Sequence, residues 1–495
     1  MKSIHFASAL SEDTKAKAAQ LETQPATFAP ELQNLLNALT PINFREAAES
    51  SGLAPDEKLT QKIVLVVAIR EALRQIQEQG AGLTSSNGLQ YVYAGGYWHE
   101  IPADEMKAFL TAAAIRLGMK PNEAQHFESQ DNLYRQFQVT ARLAQPYRCP
   151  DSVLINFKNG TLEIRGKKLE LRQARPADFL KYQLPYNYDP GASCPQFIKY
   201  LNRVLPDDSA QKVLAEFVGN TLAPSLNLQK ALVLQGGGCN GKSVFCDIVT
   251  AVLGRDNVSA YTMESLTKQD SRSRAQLENK LLNYSGENSI KLGVEAFKTL
   301  VRGEPIEARR LYQESYTIEH YARLMFNCNL LPRDIEQTEG FFRSFLIIPF
   351  KVRISEAEKD PQLAAKIIAE ELPGVFNWIL EGLKRILKSR KYTDCEAARL
   401  ELENYRKESN SVLMFIEECS LKPAQDTKHK MMLSELYSRY TYFCSESGFF
   451  KQNKNTFSKS LRSAGFNVGK INKGMAVFAT DSNVTSAQLS DDDIL

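Results

Sequence analysis

The chain has 495 residues, 43% hydrophobic and 24% charged, with a formal net charge of +3. That length allows about three domains of ordinary size, and no run approaches the ~18 apolar residues of a membrane span. Eight cysteines, at 149, 194, 239, 246, 328, 395, 419 and 444, form no CxxC pair, which argues against a disulfide framework or a zinc site and fits a reducing, cytoplasmic setting.

The start, MKSIHFASAL, is stopped by Ser11, Glu12 and Asp13 and makes a poor signal peptide. The first clear element is helical. Residues 58–79 are periodic and end before Gly80. In QYVYAGGYWHEI, aromatic and β-branched residues flank Gly95-Gly96, which predicts a hairpin. Residues 103–117 return to a helical period. From Val153 the period changes to two, and VLINFKNGTLEIRGKKLELRQ turns at Asn159-Gly160 and Gly166, so a small antiparallel meander is expected. Helices are expected from Gln196 to Leu222.

Ala231 to Leu234 is a short apolar run that leads into GGGCNGKS, residues 236–243. Lys280–Tyr284 and Arg323–Asn327 read as two further strands, and the alternation with helices favours an α/β sheet. Residues 361–389 are helical, broken near Pro373-Gly374. From Ser411 the pattern is helix, helix, helix, and GFNVGKINKGMAVFA then reads as a two-stranded wing. Between Lys428 and Lys473, nine Lys/Arg face only Glu435 and Glu446, a local charge of +7. Such a segment suits a phosphate backbone, although a solvated lysine-rich face has the same composition. Its second helix carries Lys454, Lys459 and Arg462 among Asn455, Thr456 and Ser458. That mixture suits a recognition helix and equally a protein-docking domain.

The pattern G-x-x-x-x-G-K-[ST] is met by Gly236, Gly241, Lys242 and Ser243, after a strand and before the helical run VFCDIVTAVLG. In that order the N–H groups of residues 236–244 (Gly236, Gly237, Gly238, Cys239, Asn240, Gly241, Lys242, Ser243, Val244) face a bound triphosphate. Lys242 reaches the β/γ oxygens and the Ser243 hydroxyl binds Mg²⁺. ATP and Mg²⁺ are therefore the expected ligands. Glu287, after the second strand, is the expected carboxylate for metal and water.

The order GGGCNGKS, LLNYSGEN, FKTLVRGEPIEARRLY, FNCNLLP and GFFRSFLIIPF resembles the superfamily 3 helicase module of phage, plasmid and poxvirus primase-helicases. YVYAGGYWHEI and VLINFKNGTLEI…FLKYQLPYNYDPGASCPQF are similar to the segment that precedes that module, and the basic C-terminal region to its winged-helix appendage. The resemblance implies an AAA+-like P-loop core. Lys298, Gly303, Glu304, Glu307 and Arg309 match its third motif, Asn329 its sensor, and Arg343 the arginine that reaches a neighbour's γ-phosphate. It therefore implies a ring of six copies, with single-stranded DNA in the pore and duplex at the C-terminal domain. Arg310 and Tyr312 are candidate DNA contacts on the hairpin. Phe342 stands where the family has tryptophan, and Ser344 where it has a second arginine.

No Asp-x-Asp precedes Tyr188 and no His-x-His occurs, so neither primase nor rolling-circle nuclease chemistry is expected here; a separate primase is a candidate partner. The expected fold is an α/β P-loop AAA+-like core with a mostly helical N-terminal region, a small β meander and a C-terminal winged-helix domain. The expected divisions are 1–84 helical, 85–190 α+β, 191–352 ATPase core, 353–410 helical, 411–480 winged-helix-like and 481–495 an acidic, disordered tail. The expected activity is ATP-driven DNA unwinding for a phage, plasmid or other mobile element. An origin-binding or loading ATPase, which clamps or melts DNA without processive unwinding, needs the same residues.

Overall fold

The computed structural model describes residues 28–86, 88–142, 152–286, 292–311, 313–328, 331, 339–424, 429–449 and 451–481. The chain divides into two units, Met1–Gln183 and Leu184–Leu495. In the first unit, helices α1 (Pro30–Ala38), α2 (Phe44–Glu49) and α3 (Gln61–Glu78) lead into strands β1 (Gly82–Ser86), β2 (Leu89–Ala94) and β3 (Tyr97–Ile101). Helices α4 (Ala103–Arg116), α5 (Pro121–Ala124) and α6 (Phe127–Thr140) follow. The expected hairpin forms at Gly95 and Gly96, whose φ angles of 61° and 95° are those a tight two-residue turn demands. The boundary expected between residues 84 and 85 falls inside β1, which is paired along β2. Leu65 and Ile69 of α3 share one apolar cluster with Leu83, Val92, Ile101, Phe109 and Phe137. Helices and hairpin are thus one body, because neither could bury its apolar face alone.

The meander is β4 (Ser152–Phe157), β5 (Gly160–Arg165) and β6 (Lys168–Arg172), paired antiparallel in that order. It is tied within this unit by Asn156 Nδ2, which donates to the Gly96 carbonyl at 3.1 Å, and by a two-point Arg172–Asp178 pair at 2.8 Å.

The second unit opens with α7 (Pro195–Val204) and α8 (Asp208–Thr221). Five parallel strands follow: β7 (Ala231–Gln235), β8 (Val258–Ser259), β9 (Leu282–Ser285), β12 (Arg323–Cys328) and β13 (Phe345–Pro349), in the spatial order β13-β7-β12-β9-β8. Three of these were expected. The sheet gains β8, a two-residue edge strand, and β13, which covers the far side of β7. The strand expected at 280–284 runs from 282 to 285. Between the strands lie α9 (Lys242–Leu253), α10 (Met263–Thr267), α11 (Arg272–Ala275), α12 (Val294–Arg302), the hairpin β10 (Ile306–Arg309) with β11 (Ser315–Ile318), and α13 (Glu339–Phe342).

Helices α14 (Leu363–Glu370), α15 (Leu372–Ser389) and α16 (Glu396–Ser409) come next. Pro373 and Gly374 occupy the first turn of α15, where a missing N–H costs nothing. The Glu371 carboxylate accepts from the N–H groups of Gln196 and Phe197, at 3.0 and 2.9 Å, and so caps α7. The last region holds α17 (Ser411–Glu418), β14 (Leu421–Pro423), β15 (Lys430–Met432), α18 (Leu433–Ser447), α19 (Lys454–Ser463), β16 (Asn467–Ile471) and β17 (Gly474–Asp481). β17 pairs antiparallel with β14, β15 and β16. The two-stranded wing expected from the sequence is thus half of a four-stranded sheet. Stacked Tyr440 and Phe457 rings, 4.4 Å apart, join α18 to α19. Among the described residues no helix is long and apolar enough to cross a membrane.

Helices α8 and α15 approach closely at Gly382. A Cβ added at Gly382 would lie 2.5 Å from the Ala215 carbonyl oxygen and 2.6 Å from the Glu216 nitrogen, both backbone atoms. Gly382→Ala must therefore part the helices. It is expected to destabilise this unit by about 1–3 kcal/mol or more, as overpacking does; a thermal unfolding midpoint equal to the parent's would contradict this packing.

Candidate functional site

The carboxyl ends of β7, β9 and β12 meet at one edge of the sheet, the place where open parallel sheets bind ligands. Each strand leads into a residue of the same cleft: Gly238 to Val244 after β7, Gly286 after β9, and Cys328 at the end of β12. The cleft has a volume of about 720 Å³ and is also lined by Tyr200, Ile354, Glu358, Pro361 and Leu363.

The loop has its shape for visible reasons. A Cβ at Gly236 would lie 2.5 Å from the Phe350 carbonyl oxygen and would also strike the Asn240 amide. Gly241 has a φ of 84°, and a Cβ there would lie 2.8 Å from Val204. Both positions therefore demand glycine. Cys239 holds a left-handed φ of 47° and is exposed, and its carbonyl accepts from Ile354 N at 2.7 Å. Asn240 Nδ2 donates to Phe350 O at 3.1 Å, and the Tyr200 hydroxyl donates to Gly241 O at 2.7 Å. Helix α9 then begins at Lys242 with Gly241 as its cap residue, and no side chain caps it. Its first N–H groups are left facing the loop, the arrangement that favours an anion.

Lys242 is only 5% exposed. Its Nζ donates to Gly236 O at 2.5 Å and to Asn240 Oδ1 at 3.0 Å. Burial pulls its pKa below the ordinary lysine value. A buried ammonium bound to two neutral acceptors, with no carboxylate partner among the described residues, is an electrostatic deficit that a phosphate would correct. Ser243 is exposed on the first turn of α9 and lines the same cleft. The donor set fits a triphosphate with a divalent cation: loop and helix N–H groups, a buried ammonium, and a hydroxyl one residue on. Burial raises the Cys328 and Cys246 thiols to about 12, so both are neutral, and Cys328 lines the cleft.

Glu287 and Asn329 lie outside the described residues, as does Tyr312. The structure does bring their flanking residues, Gly286 and Cys328, into the cleft. Arg343 lies elsewhere. β13 runs parallel to β7 with Phe345 opposite Ala231, so Arg343 sits at the amino edge of the sheet. About 20 Å of strand separates that edge from the loop, at ~3.3 Å per residue. Arg343 is exposed.

The expected DNA contacts are placed unequally. Lys298 does not reach the surface: it is 8% exposed on α12, and its Nζ is bound to Glu295 at 2.9 Å. Arg310 is engaged as well, by Glu278 at 3.3 Å and by the Tyr316 hydroxyl at 3.2 Å. Arg309 is exposed, with its Nε donating to Gln313 O, beside Leu311, which is 60% exposed at the hairpin turn. Glu304 and Glu307 are exposed, and Gly303 closes α12 at a φ of 64°. Lys454, Lys459 and Arg462 are all exposed on α19, whose other face buries Phe457 and Leu461. Sequence reasoning missed Tyr200 and Asn240 as loop supports. Tyr200 carries no motif, and its role depends on a chain reversal 41 residues long.

Three family models match separate stretches. Residues 73–206 match a D5 N-terminal-like family, residues 234–343 a family of unknown function (DUF5906), and residues 407–493 a poxvirus D5 protein-like family. Two relatives carry the name "Putative helicase". The one from Acanthamoeba polyphaga mimivirus is 25% identical over 255 residues, 49% of this chain and 26% of its own length. The one from Invertebrate iridescent virus 3 is 21% identical over 373 residues, 67% of this chain and 39% of its own. The chain thus spans between a quarter and two fifths of the length of these relatives. The apo C-terminal region of NrS-1 aligns over 82% of this chain and 98% of its own, at 12% identity and a TM-score of 0.46.

The Tyr200 hydroxyl offers a test of the loop's support. Tyr200→Phe removes one buried hydrogen bond to Gly241 and little volume. The loss is expected to be about 1 kcal/mol, read as roughly a fivefold rise in the dissociation constant for an ATP analogue. Unchanged affinity would show that the loop keeps its shape without it.

Proposed function

We propose that this chain, of the phage- and poxvirus-type primase-helicase family, is an ATP-hydrolysing DNA helicase working as a ring of six copies. The observation that carries the reading is Lys242, buried in a glycine cradle at the carboxyl edge of a parallel sheet and, among the described residues, without an acidic partner. Lys242 and the N–H groups of residues 236–244 hold the triphosphate. Ser243 and Glu287 hold Mg²⁺, which when bound neutralises phosphate charge. Glu287 orients the attacking water and Asn329 hydrogen-bonds to the γ-phosphate or to that water. Arg343 stabilises charge on the phosphoryl group bound by a neighbouring copy. Its place at the opposite edge from its own loop supports this division, since one chain cannot bring both to one nucleotide without a partner. Arg309 on the hairpin contacts the single strand in the pore, and Lys454, Lys459 and Arg462 contact duplex phosphates from a winged-helix-like domain. The substrate is the replicating DNA of a phage, a large virus or another mobile element.

Lys242→Ala is expected to lower ATP turnover by about 10²-fold or more, the scale for removing a charged donor from a reacting group, with the unfolding midpoint unchanged. Turnover within a few-fold of the parent contradicts the site. Unwinding of a forked duplex by the parent and not by this variant separates a helicase from a loading ATPase, which would hydrolyse ATP and leave the fork paired.

Replacing Lys454, Lys459 and Arg462 with alanine addresses the C-terminal domain. Each lost phosphate contact is expected to reduce the slope of log affinity for duplex DNA against log salt by about one. An unchanged slope points to a docking surface for protein.

A further inference from the structure

The amino edge of the sheet holds more positive charge than Arg343 alone. Lys230 immediately precedes β7, and its Nζ donates to the carbonyl of Arg343 at 2.6 Å. Arg406 reaches the same corner from α16, where its guanidinium lies over the Phe342 ring, 5.6 Å from the centroid. α16 is fixed there by Tyr405, whose ring packs edge-on against Phe342 and Phe345 at 5.4 and 5.7 Å. Burial, and then the nearby Arg343 and Arg406 charges, lower the Lys230 pKa. Lys230 is therefore close enough to both guanidiniums to be repelled by them.

Little on the protein offsets that repulsion. The one carboxylate within 4 Å of the Arg406 guanidinium among the described residues is Glu339, at 3.9 Å and with an 87% exposed side chain. That distance is beyond hydrogen bonding, and such an exposed pair is worth little. Arg406 Nε is buried and has no hydrogen-bond partner. The Arg343 side chain enters no hydrogen bond or ion pair among the described residues. Position 344 contributes no cation: Ser344 is 5% exposed, and its hydroxyl donates to Gly340 O at 3.0 Å. Two planar guanidiniums held at one exposed corner, with a lysine pinning the backbone between them, form a fork suited to phosphate oxygens.

We propose that Arg406 is a second catalytic cation acting in trans: together with Arg343 it binds the terminal phosphate of ATP held in the glycine loop of an adjacent copy of this chain, while Lys230 positions Arg343 through its carbonyl. This rests on the in-trans reading of Arg343 given above. The two guanidiniums share the charge that develops on the transferred phosphoryl group. Arg406 lies 63 residues from Arg343 in the sequence and arrives on a different element, stacked on Phe342 rather than beside it in the chain.

The experiment mixes subunits. Arg406→Gln and Arg343→Ala are each assayed for DNA-independent ATP turnover, alone and after subunit exchange with Lys242→Ala. Arg406→Gln is expected to lower kcat about tenfold or more, as loss of a charged donor does, with KM within about threefold and ATP-analogue binding retained. Mixing with Lys242→Ala subunits, inert by themselves, is expected to restore turnover, because some interfaces then pair an intact loop with an intact Arg406. A structural defect confined to its own subunit would not be restored in this way. Arg406→Lys keeps the charge and loses the fork, and an intermediate kcat is expected; it also serves if the glutamine variant has a lowered melting temperature. Turnover of Arg406→Gln within twofold of the parent overturns the proposal. So does rescue of Arg343→Ala without rescue of Arg406→Gln, which leaves the Arg343 reading standing. Failure of both to be rescued overturns the in-trans reading itself. Normal ATP turnover with weakened DNA binding would assign the corner to nucleic-acid phosphate and overturn the proposal.

Discussion

Parallel pairing of β7 with β12 on one side and β13 on the other is the constraint on which the rest depends. Because every strand of the sheet runs the same way, all carboxyl ends lie at one edge and all amino ends at the other. The glycine loop, Gly286 and Cys328 are thereby gathered into one cleft, and Lys230 and Arg343 are sent to the opposite edge. A reversed β13 would bring Arg343 to its own loop and remove the reason for a partner. The fold thus separates the groups proposed to bind phosphate from the arginine proposed to act on it.

The loop is held from outside as well as by the hydrogen bonds of Lys242 within it. Tyr200 from α7, Phe350 after β13 and Ile354 beyond it each fix one carbonyl or amide of the loop. α7 is in turn capped by Glu371 at the start of α15, and α15 lies against α8 at a separation only glycine permits. Strain at Cys239, a left-handed residue with a side chain, is balanced by the hydrogen bond its carbonyl receives. Lys242 is buried because these supports close around it, so its lowered pKa is a consequence of the scaffold as much as of the loop.

Much of this was legible in the sequence, and the limits have physical causes. The loop, its preceding strand and the start of α9 carry the spacing expected of a phosphate-binding loop. The Gly95-Gly96 hairpin and the Asn159-Gly160 turn were legible because each needs a backbone conformation few residues adopt. β8 was not, since two residues show no period. β13 was read as part of a motif, and its membership of the sheet depends on pairing 114 residues away from Ala231. β14 and β15 are three residues each and exist because β17 offers them an edge. The boundary at residue 84 was misplaced because composition changes there while the apolar cluster does not. Lys298 and Arg310 looked like surface cations by type; Glu295 and Glu278 claim them by contact. Glu287, Asn329 and Tyr312 lie outside the described residues, and their roles rest on order along the chain.

The central claim is that one nucleotide is served by two copies of this chain. Electron cryo-microscopy of the protein with a non-hydrolysable ATP analogue, Mg²⁺ and a forked DNA tests it directly. The account requires a closed ring in which each nucleotide has Lys242 of one copy and Arg343 of the next within contact of its phosphates. A nucleotide enclosed by a single copy, with every Arg343 facing solvent or DNA, would contradict it.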